Sequence, residues 1–289
     1  MRNCGRGVRI HASGLAGLAG RADQLAPPAP TLRSWLTTVL GVAGRSWRPA
    51  LFVTGVSVAT PLATLELAFG LTEAAGYRAT ASLPDIIAAL EKPTAVTPTI
   101  VLPAVLLIIA SVSATIGWAG GVWALVTHSV TGRPVALKDA YRYGLSRLRS
   151  LWPWTLAATL LFLAGLHAYV APGIYLLFAL SMFSFTVLFE LGRHPLVHSF
   201  ALTHRRLGRA LVRWGTLAAV TIAFEAALSL AFATLSVVLL GYPGYGAQAH
   251  GIASTLIDTV HTAVGAPTWA LLVVGLSVTH ADLHNSERT

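Results

Sequence analysis

Two glutamates lie within or at the end of long apolar stretches. A carboxylate in such a position needs a hydrogen-bond or ion-pair partner, or has a functional role. Glu225 is central in the stretch TIAFEAALSL, and Glu190 closes another apolar stretch where basic residues begin. A charge at the centre of a membrane helix costs about 2.5–3.5 kcal/mol on insertion scales, so Glu225 should be protonated or paired. It is either a substrate or proton site, or the acceptor of a hydrogen bond from Ser, Thr or His on another helix. Glu190 can instead reach water or pair with Arg193 or Arg205.

Glu190, His194 and His198 are four residues apart and would share one side of a continuous helix. Three such ligands could hold zinc, and near a membrane surface they could serve an enzyme that acts on a lipid head group. Pro195 argues against an unbroken helix, and neither an H-E-x-x-H motif nor a cysteine partner supports the site. We therefore predict no metal and no other cofactor.

Basic residues recur in three short segments between the apolar stretches. Each Lys or Arg near an anionic membrane surface contributes about 1 kcal/mol to attraction, which favours lipid head groups or a membrane-protein partner as ligands. The same charges could instead serve topology alone, by keeping their segments in the cytoplasm. No basic domain is large enough to bind a nucleic-acid duplex, so we predict no nucleic-acid partner. The candidate contact residues are Arg142, Arg147, Arg149, Arg205, Arg206, Arg209 and Arg213.

The elements that carry these residues are predicted to be transmembrane helices. The chain is 55% hydrophobic and 11% charged, with a mean hydropathy of +0.68, whereas an average soluble domain is about 25% charged. Because about 20 apolar residues cross a bilayer as a helix, the pattern predicts an all-α polytopic transmembrane bundle of about six spans. The predicted spans are Ala50–Leu71, Thr99–Val126, Leu151–Ala171, Ile174–Leu191, Gly215–Leu240 and Val264–Val278.

Basic amphipathic segments precede three of these spans, at residues 31–49, 132–150 and 192–213. At 100° per residue, each segment has an apolar stripe beside its basic residues, which predicts a helix lying in the membrane interface. We expect the first of them to end near Pro49 and a tight hairpin to form at Pro172-Gly173. The stripes include Leu32, Trp35, Leu36, Val39, Leu40, Ala43 and Trp47, then Leu137, Tyr141, Leu145 and Leu148, then Leu196, Phe200, Leu207, Leu211 and Trp214.

The distribution of positive charge predicts the orientation. Of the twenty Lys and Arg residues, only Arg78 and Lys92 fall in segments that this topology places outside. Positive residues accumulate on the cytoplasmic side, so both termini are predicted to be cytoplasmic. The predicted organisation is a disordered basic tail at 1–30, a six-span transmembrane domain at 31–283 and a cytoplasmic tail at 284–289.

Two stretches resemble a known family. Gly132–Trp152 reads GRPVALKDAYRYGLSRLRSLW, and Pro172–Arg209 combines a Pro-Gly pair, an apolar span, a glutamate and a helix that ends in basic residues. In these stretches the chain resembles the glycerophosphoryl diester phosphodiesterase membrane-domain family. The resemblance implies a protein of the bacterial cell membrane whose role is unsettled, and it does not imply hydrolysis because no room remains for a catalytic barrel of about 250 residues. The matching positions in the second stretch are Pro172, Gly173, Tyr175, Glu190, Ser199, Leu202, Thr203 and Arg206.

Motifs of soluble enzymes, such as G-x-G-x-x-G, Walker A and G-x-S-x-G, do not occur in the sequence. We therefore expect a non-enzymatic membrane scaffold or accessory component that engages anionic lipids or a membrane partner. The alternative is a transporter or permease component for an apolar or lipid-like substrate, for which Glu225, Pro61 and Pro103 within spans are the motivation.

Overall fold

The computed structural model describes residue 29 and residues 31–55, 59, 61–66, 98–133, 135–189, 194–240 and 251–288. All regular secondary structure in these ranges is helical, which agrees with the predicted all-α class. A short helical segment covers 61–66. The longer helices of these ranges are α1 (Leu32–Thr54), α2 (Pro98–Thr131), α3 (Leu137–Ala168), α4 (Val170–Ala179), α5 (Phe183–Phe189), α6 (Pro195–Arg205), α7 (Leu207–Leu240), α8 (Gly251–Val264) and α9 (Ala266–Arg288).

Within the described residues, five helical stretches are long and apolar enough to cross a membrane. By length and composition the chain is therefore a multi-pass membrane protein. The five stretches overlap the second to sixth predicted spans, whereas Ala50–Leu71 lies only partly within the described residues, so a sixth crossing stays a prediction. The five stretches are Val105–Thr131, Leu137–Ala168, Val170–Phe189, Leu207–Leu239 and Leu256–Asn285.

Two helices continue through a proline, and at Pro49 the sequence predicts an end. α1 runs past Pro49 to Thr54, and α3 joins its basic segment to the next span without a break, even at Pro153. A proline removes one helical hydrogen bond, but ending a helix in apolar surroundings exposes several backbone polar groups. The continuous helix is the less costly solution.

The reversal between α3 and α4 occurs at Tyr169, three residues before the predicted Pro-Gly turn. Tyr169 is extended, with φ −165° and ψ 155°. Pro172 lies in the first turn of α4, where its missing N–H leaves no helical hydrogen bond unmade. A methyl group on Gly173 would lie 2.5 Å from Leu166 Cδ2, so this glycine permits α3 and α4 to touch.

The core lies where α1, α2, α3 and α9 meet. Trp35 and Val122 are completely buried there. α2 and α3 lie close together at Gly144, where a methyl group would lie 2.1 Å from the carbonyl oxygen of Ile116. Small residues at helix contacts are the usual way in which membrane helices gain dispersion contacts, since lipid removes the hydrophobic drive for association.

Candidate functional site

The three basic segments leave half of the residues in their predicted apolar stripes exposed. On α3, Ala140, Tyr143 and Gly144 are buried, whereas Leu145 is 60% exposed. On α1 the stripe is split, because Trp35 faces the core. An exposed apolar stripe suits a helix whose surroundings are lipid. The exposed members of the predicted stripes are Leu32, Leu40, Trp47, Leu137, Leu145, Phe200, Leu207 and Leu211.

Basic side chains of α3 lie beside its exposed apolar residues. Arg142 and Arg149 are exposed. Arg147 is half-buried, and its guanidinium lies 5.5 Å from the centre of the Tyr143 ring. Such a cation–π contact contributes about 0.5–1 kcal/mol at an exposed site. α3 therefore presents Arg142 and Arg149 outward, as it does Lys138, and holds Arg147 against its own core.

The four arginines near the α6–α7 junction do not share one environment. Arg205 and Arg206 are exposed, while Arg209 is half-buried with its Nη1 3.6 Å from Asp282 Oδ2. Arg213 is 1% exposed and forms an ion pair with the same carboxylate at 2.5 Å. Burial removes Arg213 from the predicted contact surface and gives it a structural part instead.

Asp282 is the centre of a buried polar cluster that the sequence analysis does not identify. Its carboxylate is fully buried and accepts hydrogen bonds from Arg213 and, at 2.5 Å, from the backbone N–H of Ala29. Arg213 also donates to the carbonyl oxygen of Ala29, so the chain before α1 is tied to both α7 and α9. Nearby, Trp35 Nε1 donates to Thr279 Oγ1 at 3.1 Å.

A signal for this cluster does exist in the sequence. Asp282 comes four residues after the apolar run WALLVVGLSV, and an acidic residue so close to a span needs a partner. Because the predicted span ends at Val278, the prediction places Asp282 outside the span, where a carboxylate needs no partner. In the structure α9 continues to Arg288, and 273–283 are buried.

Glu225 is half-buried and accepts a hydrogen bond from another helix. Thr268 Oγ1 donates to Glu225 Oε1 at 2.8 Å, which links α7 to α9. The carboxylate lies beside the break between α8 and α9, where a methyl group on Gly265 would come 3.3 Å from the same oxygen. Of the two predicted alternatives, this geometry matches the interhelical hydrogen bond.

A second carboxylate meets the same part of the bundle. Thr262 Oγ1 of α8 donates to the exposed Glu66 at 2.5 Å, and His261 Nε2 lies 3.3 Å from Ser229 Oγ of α7. Ser229 is sixteen residues after Arg213 in the sequence, which separates this region from the Asp282 cluster by about 24 Å along α7. Hydroxyl groups are the partners of both glutamates here.

The zinc alignment considered for Glu190, His194 and His198 requires an unbroken helix. Glu190 lies outside the described residues, and α6 begins at Pro195. His194 is not helical, with φ −133° and ψ 75°, so His194 and His198 do not share one helix face. The described residues contain no group of three His, Cys, Asp or Glu side chains suited to a metal ion.

A cavity of about 760 Å³ lies among α2, α3, α4, α5, α7 and α9, and Leu62 of the short segment 61–66 also lines it. Its wall is almost entirely apolar and includes Trp118, Trp214 and Trp269. No Asp, Glu, Lys, Arg or His belongs to the described residues that line it, and its polar groups are Ser and Thr hydroxyls and the indole N–H groups of its tryptophans. Sequence patterns cannot reveal this site because its wall depends on how six helices pack.

No protein-family model matches the chain, and neither the curated proteins nor the solved structures yield a match. The resemblance drawn from Gly132–Trp152 and Pro172–Arg209 therefore stays a prediction. Fold and function of the chain have to be argued from its own geometry.

Proposed function

We propose that this chain is a non-enzymatic membrane protein that engages anionic lipids, or an acidic membrane partner, through its basic helical surfaces. The observation that carries the proposal is the outward face of α3, where the exposed Leu137 and Leu145 accompany the exposed Arg142 and Arg149. Apolar side chains that enter the acyl region and cations at head-group level form the usual pattern of a lipid-binding helix surface.

The orientation belongs to the same proposal. It puts the basic surfaces of α1, α3 and α6 in the cytoplasmic interface of a bacterial cell membrane, with six spans and both termini inside. The scarcity of Lys and Arg in the intervening segments supports this topology, as does the resemblance to the glycerophosphoryl diester phosphodiesterase membrane-domain family.

Neutralising the α3 charges tests the proposal without touching the buried arginine. The variant combines Lys138→Gln, Arg142→Gln and Arg149→Gln, all at exposed positions. The protein is reconstituted in nanodiscs of mixed phosphatidylglycerol and phosphatidylcholine, and the lipids that it retains are counted by native mass spectrometry. Since each charge contributes about 1 kcal/mol near an anionic surface, we expect phosphatidylglycerol retention to fall at least fivefold.

The matched control keeps the charge and changes the side chains, as Lys138→Arg, Arg142→Lys and Arg149→Lys. It should retain as much phosphatidylglycerol as the unmodified protein. Equal retention by the Gln variant, together with unchanged recovery of membrane partners after crosslinking in cells, would refute the proposal.

Transport of a lipid-like substrate is the second candidate, and the Glu225 region favours it. The carboxylate of Glu225 lies beside the break between α8 and α9. Transporters commonly form their binding sites where a membrane helix is interrupted in this way. The test is translocation of fluorescent phosphatidylglycerol in reconstituted vesicles, with Glu225→Gln compared with the unmodified protein. We expect Glu225→Gln to slow translocation; full activity of this variant, or no translocation by the unmodified protein, removes the candidate.

A further inference from the structure

The central cavity has the composition of a ligand site for a mostly hydrocarbon molecule. Its lining residues come from the middle parts of the helices that cross the membrane, such as Trp118 of α2 and Leu272 of α9. At about 760 Å³ it is roughly five times the volume of the ~150 Å³ apolar cavities that accept one benzene ring. The volume therefore accommodates on the order of 20–30 carbon atoms.

Most hydroxyl groups in the wall are already engaged within the protein. Thr155 donates to the carbonyl oxygen of Leu151, and Ser181 donates to that of Phe178. Ser184 Oγ accepts from Trp118 Nε1 at 3.1 Å. These groups contribute little polarity to the cavity, so a charged ligand would lose its hydration without compensation.

Thr221 differs from those hydroxyls. It lines the cavity from α7, and its Oγ1 is a buried atom without a hydrogen-bond partner among the described residues. Threonines in helices normally donate to the carbonyl four residues earlier, as Thr216 and Thr234 do on this same helix. A buried hydroxyl that is left unpaired is destabilising, and an oxygen acceptor in the cavity would remove that cost.

We propose that the cavity binds an uncharged, largely hydrocarbon molecule with one carbonyl oxygen that accepts a hydrogen bond from Thr221. The carbonyl is either the ester of a neutral acyl lipid or the ring oxygen of a membrane quinone. The inference goes beyond the surface binding proposed above, because no basic residue lines the site.

The test uses two variants with matched controls on the same helix. Ala218→Phe fills the cavity, whereas Ala219→Phe adds the same group on the exposed side of α7. Thr221→Val removes the unpaired hydroxyl, whereas Thr234→Val removes one that bonds within its own helix. The purified proteins are extracted and their bound small molecules identified by mass spectrometry. They are then reloaded with dioleoylglycerol or with decylubiquinone to measure affinity.

We expect at least one of the two probes to bind the unmodified protein and both control variants equally. Ala218→Phe should reduce that affinity at least tenfold, and Thr221→Val should weaken it about fivefold, the usual effect of one neutral hydrogen bond. The probe that responds identifies the source of the carbonyl.

If neither probe binds the unmodified protein more tightly than Ala218→Phe, the site does not exist. If Thr221→Val binds as well as Thr234→Val, the assigned hydrogen bond is wrong. In either case the α3 charge experiment is unaffected, so the two proposals fail separately.

Discussion

The Asp282 region and the Glu225 region each contain a carboxylate within a membrane bundle, but the two carboxylates have different partners. Asp282 is fully buried and is held by Arg213, by the more distant Arg209 and by the backbone of Ala29. Glu225 is only half-buried and accepts a hydrogen bond from the hydroxyl of Thr268. Complete burial of a charge requires an opposite charge with further donors, whereas partial burial requires only a neutral donor. Loss of one partner should therefore cost more in the first region than in the second.

The largest effect should follow from Asp282→Ala. The change leaves the buried guanidinium of Arg213 without its counter-ion, which typically costs about 3–5 kcal/mol. Thermal unfolding in detergent measures the loss, and Asp258→Ala at an exposed position of α8 is the control. Arg213→Leu with Asp282→Leu removes the unpaired charge but leaves the N–H and the carbonyl oxygen of the buried Ala29 without these partners, so it should recover only part of the stability. Equal stability of Asp282→Ala and the control would show that the ion pair is not essential.

A smaller loss is expected for Thr279→Val. This change removes the acceptor for the indole N–H of the fully buried Trp35, and an unsatisfied buried donor costs about 1–3 kcal/mol. Thr216→Val removes only a bond inside α7 and should cost less in the same unfolding assay. A larger loss for Thr216→Val would contradict the assignment of Thr279 as the partner of Trp35.

At the opposite region, Thr268→Val should cost about 0.6 kcal/mol and at most ~1.7 kcal/mol, the average and the largest value measured for hydrogen bonds between membrane helices. Glu225→Gln should cost less than Thr268→Val, because the amide oxygen still accepts from Thr268. If Glu225→Gln proves as damaging as Asp282→Ala, the contrast between the two regions is invalid.

The smallest effect is expected for Thr262→Val, since Glu66 is exposed and water can replace the lost donor. Its unfolding transition should coincide with that of the unmodified protein. A shift larger than that of Thr268→Val would mean that Glu66 is more buried in the membrane than it is in this structure.

The sequence predicts the helices well and their faces poorly, for a physical reason. Lipid is as apolar as a protein core, so the stripe that holds Leu145 can point either way, and here it points outward. The kind of partner for Glu225 was predictable, but Thr268 itself was not, because that choice depends on the register between α7 and α9. Arg213 was grouped with Arg209 by its position on the helix, and Asp282, sixty-nine residues away, decides its environment instead.

The most direct test of the account asks on which side of the membrane the basic surfaces lie. In a Cys4→Ser background, single cysteines are placed at the exposed Thr37 and Ser146 near the basic segments and at the exposed Ala171 near the α3–α4 reversal. Intact cells are treated with a membrane-impermeant thiol reagent. The account predicts labelling at Ala171 alone, with Thr37 and Ser146 labelled only after the cells are opened. Labelling of the Thr37 or Ser146 cysteine in intact cells would contradict the cytoplasmic placement on which the proposed lipid contact depends.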